Sequence, residues 1–196
     1  MNTFKKITMV ALLIPIGILF ASVYGALHNQ ISYTVSPEYF TRFKFEQFGI
    51  INFPQRLGAS AVGVFATWWM GLIIGSILAS VALIQKDAST MFKSTLQAYG
   101  IVVVVAIVTG LIGLAYGVIH LSKLPPSEFS DWYIPDNLQN RGAFIAAGSM
   151  HNFSYLGGVI GMFVGVWWQI HFKRRLIAGA NQRTPNSQKE DAHFGV

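Results

Sequence analysis

Long apolar runs separated by short polar segments dominate the chain. Four of these runs carry no Asp, Glu, Lys or Arg: Ile7–Leu27, Leu57–Ile84, Leu96–His120 and Ala143–Ile170. Each is long enough to cross a bilayer as a helix, which takes about 20 apolar residues. Backbone polar groups in hydrocarbon must be satisfied within the protein, so only helices or closed barrels qualify. Barrel strands run to about ten residues, so the lengths predict helices. The expected fold is an all-α integral-membrane four-helix bundle. Pro15 predicts a kink in the first helix, which membrane helices tolerate.

Within the runs, small residues recur at helical spacing. Gly17, Ala21, Tyr24 and His28 share a face of the first helix. So do Ala106, Gly110, Gly113, Gly117 and His120 in the third, and Ala147, His151, Ser154, Gly158, Gly161 and Gly165 in the fourth. Small residues let membrane helices approach closely, so these faces are expected to pack. Three histidines then project from packing faces. Trp68 and Trp69 lie about 18 Å below Leu57 at 1.5 Å per residue, deep enough to fill the bundle or line a pocket.

Composition agrees with this class. Of 196 residues, 53% are hydrophobic and 11% charged, where a soluble domain carries about 25% charged residues. Cysteine is absent, which excludes disulfides, thiolate metal sites and redox thiols. The net charge is +6, but its distribution argues for topology and lipid contact, not nucleic acid. With the N-terminus inside, nine of the 14 basic residues fall inside: Lys5, Lys6, Lys86, Lys93, Lys173, Arg174, Arg175, Arg183 and Lys189. The positive-inside rule then predicts both termini in the cytoplasm and loops 28–56 and 121–142 outside. Lys5 and Lys6 before an apolar core also fit a signal peptide, but Phe20 and Tyr24 disfavour a small-residue cleavage site, so an uncleaved anchor is expected. The transmembrane domain covers residues 1–172. A basic, then disordered cytoplasmic tail is expected over 173–196.

The two halves resemble each other. Tyr24-Gly25-Ala26-Leu27-His28 returns as Tyr116-Gly117-Val118-Ile119-His120. Ser36-Pro37-Glu38-Tyr39-Phe40 is echoed by Pro126-Ser127-Glu128-Phe129, and Gly71 and Gly75 by Gly157 and Gly161. The order predicts tandem helical hairpins, about 7–84 and 96–170, related as a parallel repeat.

His28 and His120 end outward-running helices, and His151 lies about 12 Å inside the outer start of the fourth, at 1.5 Å per residue. Each has a tyrosine one turn deeper: Tyr24, Tyr116 and Tyr155. An ionisable residue inside a membrane is a functional candidate by default. Imidazole is also the commonest metal ligand. His28, His120 and His151, with Glu38 or Glu128 folding over them, form the expected site for copper, zinc or iron. Two facing histidines would alternatively hold a haem, with Tyr155 as hydrogen-bond partner or redox tyrosine. Gln30, Tyr39 and Ser154 are further polar candidates.

The leading expectation is a metal- or haem-binding redox or accessory protein with its site in the outer half. A non-enzymatic scaffold or assembly subunit is the first rival, with its glycine faces joining partner helices or further copies. A small transporter is the second, although the spans carry no acid, lysine or arginine. The reaction is left open.

His28-Asn29-Gln30, followed by Glu38-Tyr39-Phe40 and later by His151-Asn152-Phe153-Ser154-Tyr155, resembles a family of small bacterial four-span membrane proteins. The resemblance covers all four spans. It implies a bacterial inner-membrane setting and points to His28, Gln30, Glu38, Tyr39, His151, Ser154 and Tyr155, without naming a reaction. It also implies an aspartate where Asn29 stands, so an acid–histidine pairing is not carried over here.

Overall fold

A computed structural model describes the backbone of residues 3–191 and the side chains of residues 3–179. The described residues are helical, with no strand among them. Four long helices form the bundle: α1 (Thr3–Val35), α2 (Gln55–Val81), α3 (Ala88–Ile119) and α4 (Arg141–Asp191). All four are long and apolar enough to cross a bilayer. Their exposed surface is rich in leucine, isoleucine, valine and phenylalanine, far more than a water-facing monomer presents. By length and composition, the four helices suggest a multi-pass membrane protein. α1 is helical through Pro15. The backbone of α4 is helical to Asp191. Residues 192–196 lie outside the described residues.

Glycines set the packing. α1 and α2 cross antiparallel, with Gly17 against Gly75 and Gly25 against Gly63. A Cβ added at Gly71 would lie 2.7 Å from the Gly17 carbonyl oxygen. α3 and α4 cross in the same way: a Cβ at Gly117 would lie 2.7 Å from the Ala146 Cα, and one at Gly161 would lie 2.8 Å from the Val102 Cα. Without a hydrophobic drive between helices in lipid, such close backbone approach supplies the attraction.

One end of the bundle is tied by polar bonds. Lys6 Nζ donates to the carbonyls of Leu83 and Gln85, at 2.9 and 2.8 Å. Gln85 Nε2 donates to the Gln169 carbonyl, and Gln169 Nε2 to Thr95 Oγ1. Asp87 starts α3 with a reciprocal capping box to Thr90, which satisfies two otherwise orphaned N–H groups.

The opposite, cap end carries the two long connections. Residues 37–47 fold as short helical turns, Pro37–Tyr39, a π turn Phe40–Lys44, and Phe45–Gln47. This lid buries Tyr39, Phe40 and Phe45 in a cluster with Tyr33, Ile50, Val62, Phe144 and Ala147. The aromatic loop thus covers the helix ends.

Candidate functional site

Beneath the lid, α1 and α4 bring two histidines together. The rings of His28 and His151 meet edge to face, with centroids 4.7 Å apart. They arrive from helices that are not partners in a hairpin. Gly110 of α3 makes room for them: a Cβ there would lie 3.7 Å from His28 Nε2 and would collide with the Ser154 hydroxyl.

Every link around His28 has a direction. Asn29 Nδ2 donates to the Ala59 carbonyl on α2, at 3.0 Å. That bond turns Asn29 Oδ1 toward His28 Nδ1, 3.2 Å away. An amide oxygen only accepts, so the network assigns the ring proton to Nδ1. In the neutral ring Nε2 then carries the lone pair. It faces Ser154 Oγ at 2.9 Å, so the hydroxyl donates to it. The order is amide, imidazole, hydroxyl: an orienting group, a base and a candidate nucleophile. His28, Asn29 and Ser154 are all buried, with Asn29 only 2% exposed.

His151 is held separately. Its Nε2 lies 3.2 Å from Ser32 Oγ. The Tyr39 ring stacks on it at 4.9 Å between centroids, and Phe40 packs at its edge. The lid therefore sits directly on the site. Burial raises the Tyr39 hydroxyl above its ordinary range, so it stays protonated and can donate but not act as a base.

Three cavities surround the pair. The first, of about 80 Å³, lies inside the bundle and is lined by Tyr24, His28, His151, Ser154 and Tyr155 among others. It has room for a few waters. Among the described residues the buried Tyr24 hydroxyl, on its wall, has no hydrogen-bond partner. The second is an apolar groove of about 400 Å³ between α1 and α3, running from Leu19 to Ile31 and reaching Tyr24 and His28. The third is a cup of about 230 Å³ under the lid, with Lys44, His151 and Trp69 in its lining.

The expected three-histidine metal site is not formed. Among the described residues no group of three or more His, Asp or Glu side chains is placed to hold a metal ion. His120 is exposed and stacks on Tyr116, with ring centroids 5.3 Å apart. Its glycine face does pack, but α3 ends at Ile119 and His120 is the C-cap, with φ −116°. The ring leaves the face one residue too late to share it. Tyr116 also packs on Phe153 and takes no part in the site. Glu38 does not fold over the histidines: its two carboxylate oxygens accept from the backbone N–H groups of Gln139 and Asn140, both at 2.9 Å. Glu128 lies in a short 3₁₀ turn, Pro126–Phe129, and is exposed. Gln30 ties α1 to α2 by donating to the Arg56 carbonyl and to Ser60 Oγ, both at 2.8 Å. With centroids 4.7 Å apart, the two rings leave no gap for a porphyrin between them.

Glu38 is instead a clasp. It fixes the lid to the turn that starts α4, where Asn140 Oδ1 caps the helix through the Ala143 N–H at 3.0 Å. The Gln139 and Asn140 donors hold its carboxyl below the ordinary 4.5. A depressed carboxyl contributes stability above its unfolded pKa and loses it as pH falls through the folded value. Glu38→Gln is therefore expected to lower the thermal midpoint at pH 7. The gap to the unaltered protein should narrow as the pH is lowered to about 4. A gap independent of pH would remove the clasp.

Two features had little sequence signal. Asn29 orients His28 because Ala59 lies opposite it, which no spacing shows. Lys44 reaches the site through the fold of the lid. No protein-family model matches the chain, and neither a curated protein nor a solved structure matches it.

Proposed function

We propose that this is a multi-pass bacterial inner-membrane enzyme in which Ser154, with His28 as base, takes acyl groups from lipid-embedded esters. The single observation that carries the reading is the directed chain from Asn29 through His28 to Ser154, with lengths of 3.2 and 2.9 Å. A hydroxyl within reach of a base that a third group orients is the general signature of an activated nucleophile. The Oγ–C bond would form as the hydroxyl proton moves to Nε2. The tetrahedral centre would collapse by expelling the alcohol, which takes that proton back. Water, activated by the same nitrogen, would then release the acid. The Tyr24 hydroxyl, buried without a partner, is the donor available for the developing oxyanion. The groove between α1 and α3 supports an apolar substrate arriving sideways from the bilayer.

The test is covalent labelling of detergent-purified protein with a fluorophosphonate, read by intact mass and peptide mapping. A single adduct on Ser154, lost in Ser154→Ala, is expected. No adduct, or one elsewhere, would sink the reading.

The edge-to-face pair favours a second reading, a metal-binding redox or accessory protein. There His28 and His151 would offer imidazole nitrogens to one copper, iron or zinc ion, in place of their serine partners. Near one metal per chain, lost in His151→Ala, would favour it. In both readings the distribution of basic residues supports cytoplasmic termini and an outer cap end. The two glycine-crossed hairpins support descent from a duplicated hairpin.

A further inference from the structure

Lys44 is the one cationic side chain in the lining of the three cavities around the histidine pair. Its ammonium lies 4.1 Å from the centroid of the Phe43 ring and 5.6 Å from that of Tyr39, and it donates to Gln47 Oε1 at 2.8 Å. No carboxylate pairs with it among the described residues. An ammonium has three protons to donate, and one is used. Burial alone pushes its pKa down to about 8, which marks a cation short of a counter-charge.

The cup beside it combines this charge with several polar side chains. Tyr39, whose hydroxyl has no hydrogen-bond partner among the described residues, and Asn152 share its lining. Gln47, His151 and Tyr155 line it as well, and the apolar part of the wall is Phe48, Val62, Phe65, Ala66 and Trp69. Phe65 and Trp69 are also 54% and 43% exposed on the bundle's outer face. Trp69 lies twelve residues along α2 from Leu57, about 18 Å deep at 1.5 Å per residue. The cup thus joins a cation at the interface to a wall that faces the hydrocarbon. Its volume, about 230 Å³, is below the 300–1,000 Å³ of sites that enclose a whole drug-sized ligand. It suits a headgroup whose tails stay outside.

We infer that the cup beneath Lys44 binds the phosphate of an anionic phospholipid, with the acyl tails remaining in the bilayer beside Phe65 and Trp69. The phosphate takes the free ammonium protons and the Tyr39 hydroxyl, and the lipid becomes part of the wall next to His151. This site is independent of Ser154 and of the acyl-transfer reading, and either can fail alone.

The test uses the full chain in nanodiscs holding equal phosphatidylglycerol and phosphatidylethanolamine, with lipid retention read by native mass spectrometry. The unaltered protein should retain phosphatidylglycerol preferentially. Lys44→Gln should reduce that preference about five-fold, the scale of one lysine near an anionic surface. Lys44→Arg should keep it, and Lys123→Gln, a cation in the other long connection, should leave it unchanged. If Lys44→Gln does not fold, Lys44→Met replaces it in the same comparison. Equal preference in the Lys44 variants and the unaltered protein would overturn the inference. So would displacement of the retained lipid by inorganic phosphate alone, which would assign the cup to a free anion.

Discussion

Asn29→Asp should speed the modification of Ser154 by about ten-fold or more, and Asn29→Leu should slow it. An asparagine at this place orients the imidazole but gives no charge to offset the imidazolium that forms when Nε2 takes the proton. In soluble serine hydrolases the aspartate-to-asparagine change costs roughly 10⁴-fold, attributed to the wrong imidazole tautomer, whereas Asn29 already faces Nδ1 with its oxygen. The reverse change should recover only part of this factor. Asn29 is 2% exposed and its amide also donates to the Ala59 carbonyl. A carboxylate loses that donation and must be desolvated. Leaving a buried acceptor unpaired costs about 1–3 kcal/mol, so the faster variant should also be the less stable one. Initial labelling rates with a fluorophosphonate, corrected for the folded fraction, measure the balance. His28→Gln should lower the same rate by about 10²–10⁴, the usual worth of a positioned base. Equal rates in His28→Gln and the unaltered protein would remove His28 as the base.

The same variant separates the two functional readings. If His28 is a metal ligand, Asn29 is its orienting partner, and changes in such partners shift metal affinity by about 10–100-fold. Asn29→Asp would then tighten metal binding without creating a reactive serine. Faster labelling at unchanged metal content favours the nucleophile.

The four spans were legible because period and length act locally. Each helix carries its own apolar run, and its small residues mark a packing face whichever helix lies opposite. That is why the faces of Gly17, Gly110 and Gly161 are all found in contact. The pairing of His28 with His151 followed from depth alone, since both were placed near the same end. His120 has the same depth and spacing but stays apart, because the departure of a helix C-cap from the face depends on where the following turn goes. Sign and position alone make Glu38 a candidate ligand in the sequence. The competing demand came from the turn before α4, whose N–H groups need acceptors, and that turn lies about a hundred residues away. Nothing local records such a partner. The Asn29–Ala59 bond escaped for the same reason, and with it the tautomer on which the chemistry depends.

Gly71→Val should pull α1 away from α2 and open the site without touching His28, Asn29 or Ser154. A Cβ at Gly71 would lie 2.7 Å from the Ala21 Cβ, the Gly17 carbonyl oxygen and the Ile18 Cα. Two of these are backbone atoms, so no rotamer change relieves the clash and the helices must separate. Overpacking costs about 1–3 kcal/mol where side chains can yield, and rigid backbone puts this site at or above the upper end. α1 carries His28 and Asn29, while the Asn29 anchor, Ala59, belongs to α2. Separation therefore breaks the bond that orients the imidazole before it disturbs Ser154. The expected result is a lower thermal midpoint in detergent together with loss of Ser154 labelling. Gly100→Ala is the matched control: nothing lies within 4 Å of its added Cβ, and replacing a mid-helix glycine with alanine gains up to about 1 kcal/mol. A Gly71→Val protein that matches the unaltered one in both midpoint and labelling would show that the α1–α2 crossing does not set the geometry of the site.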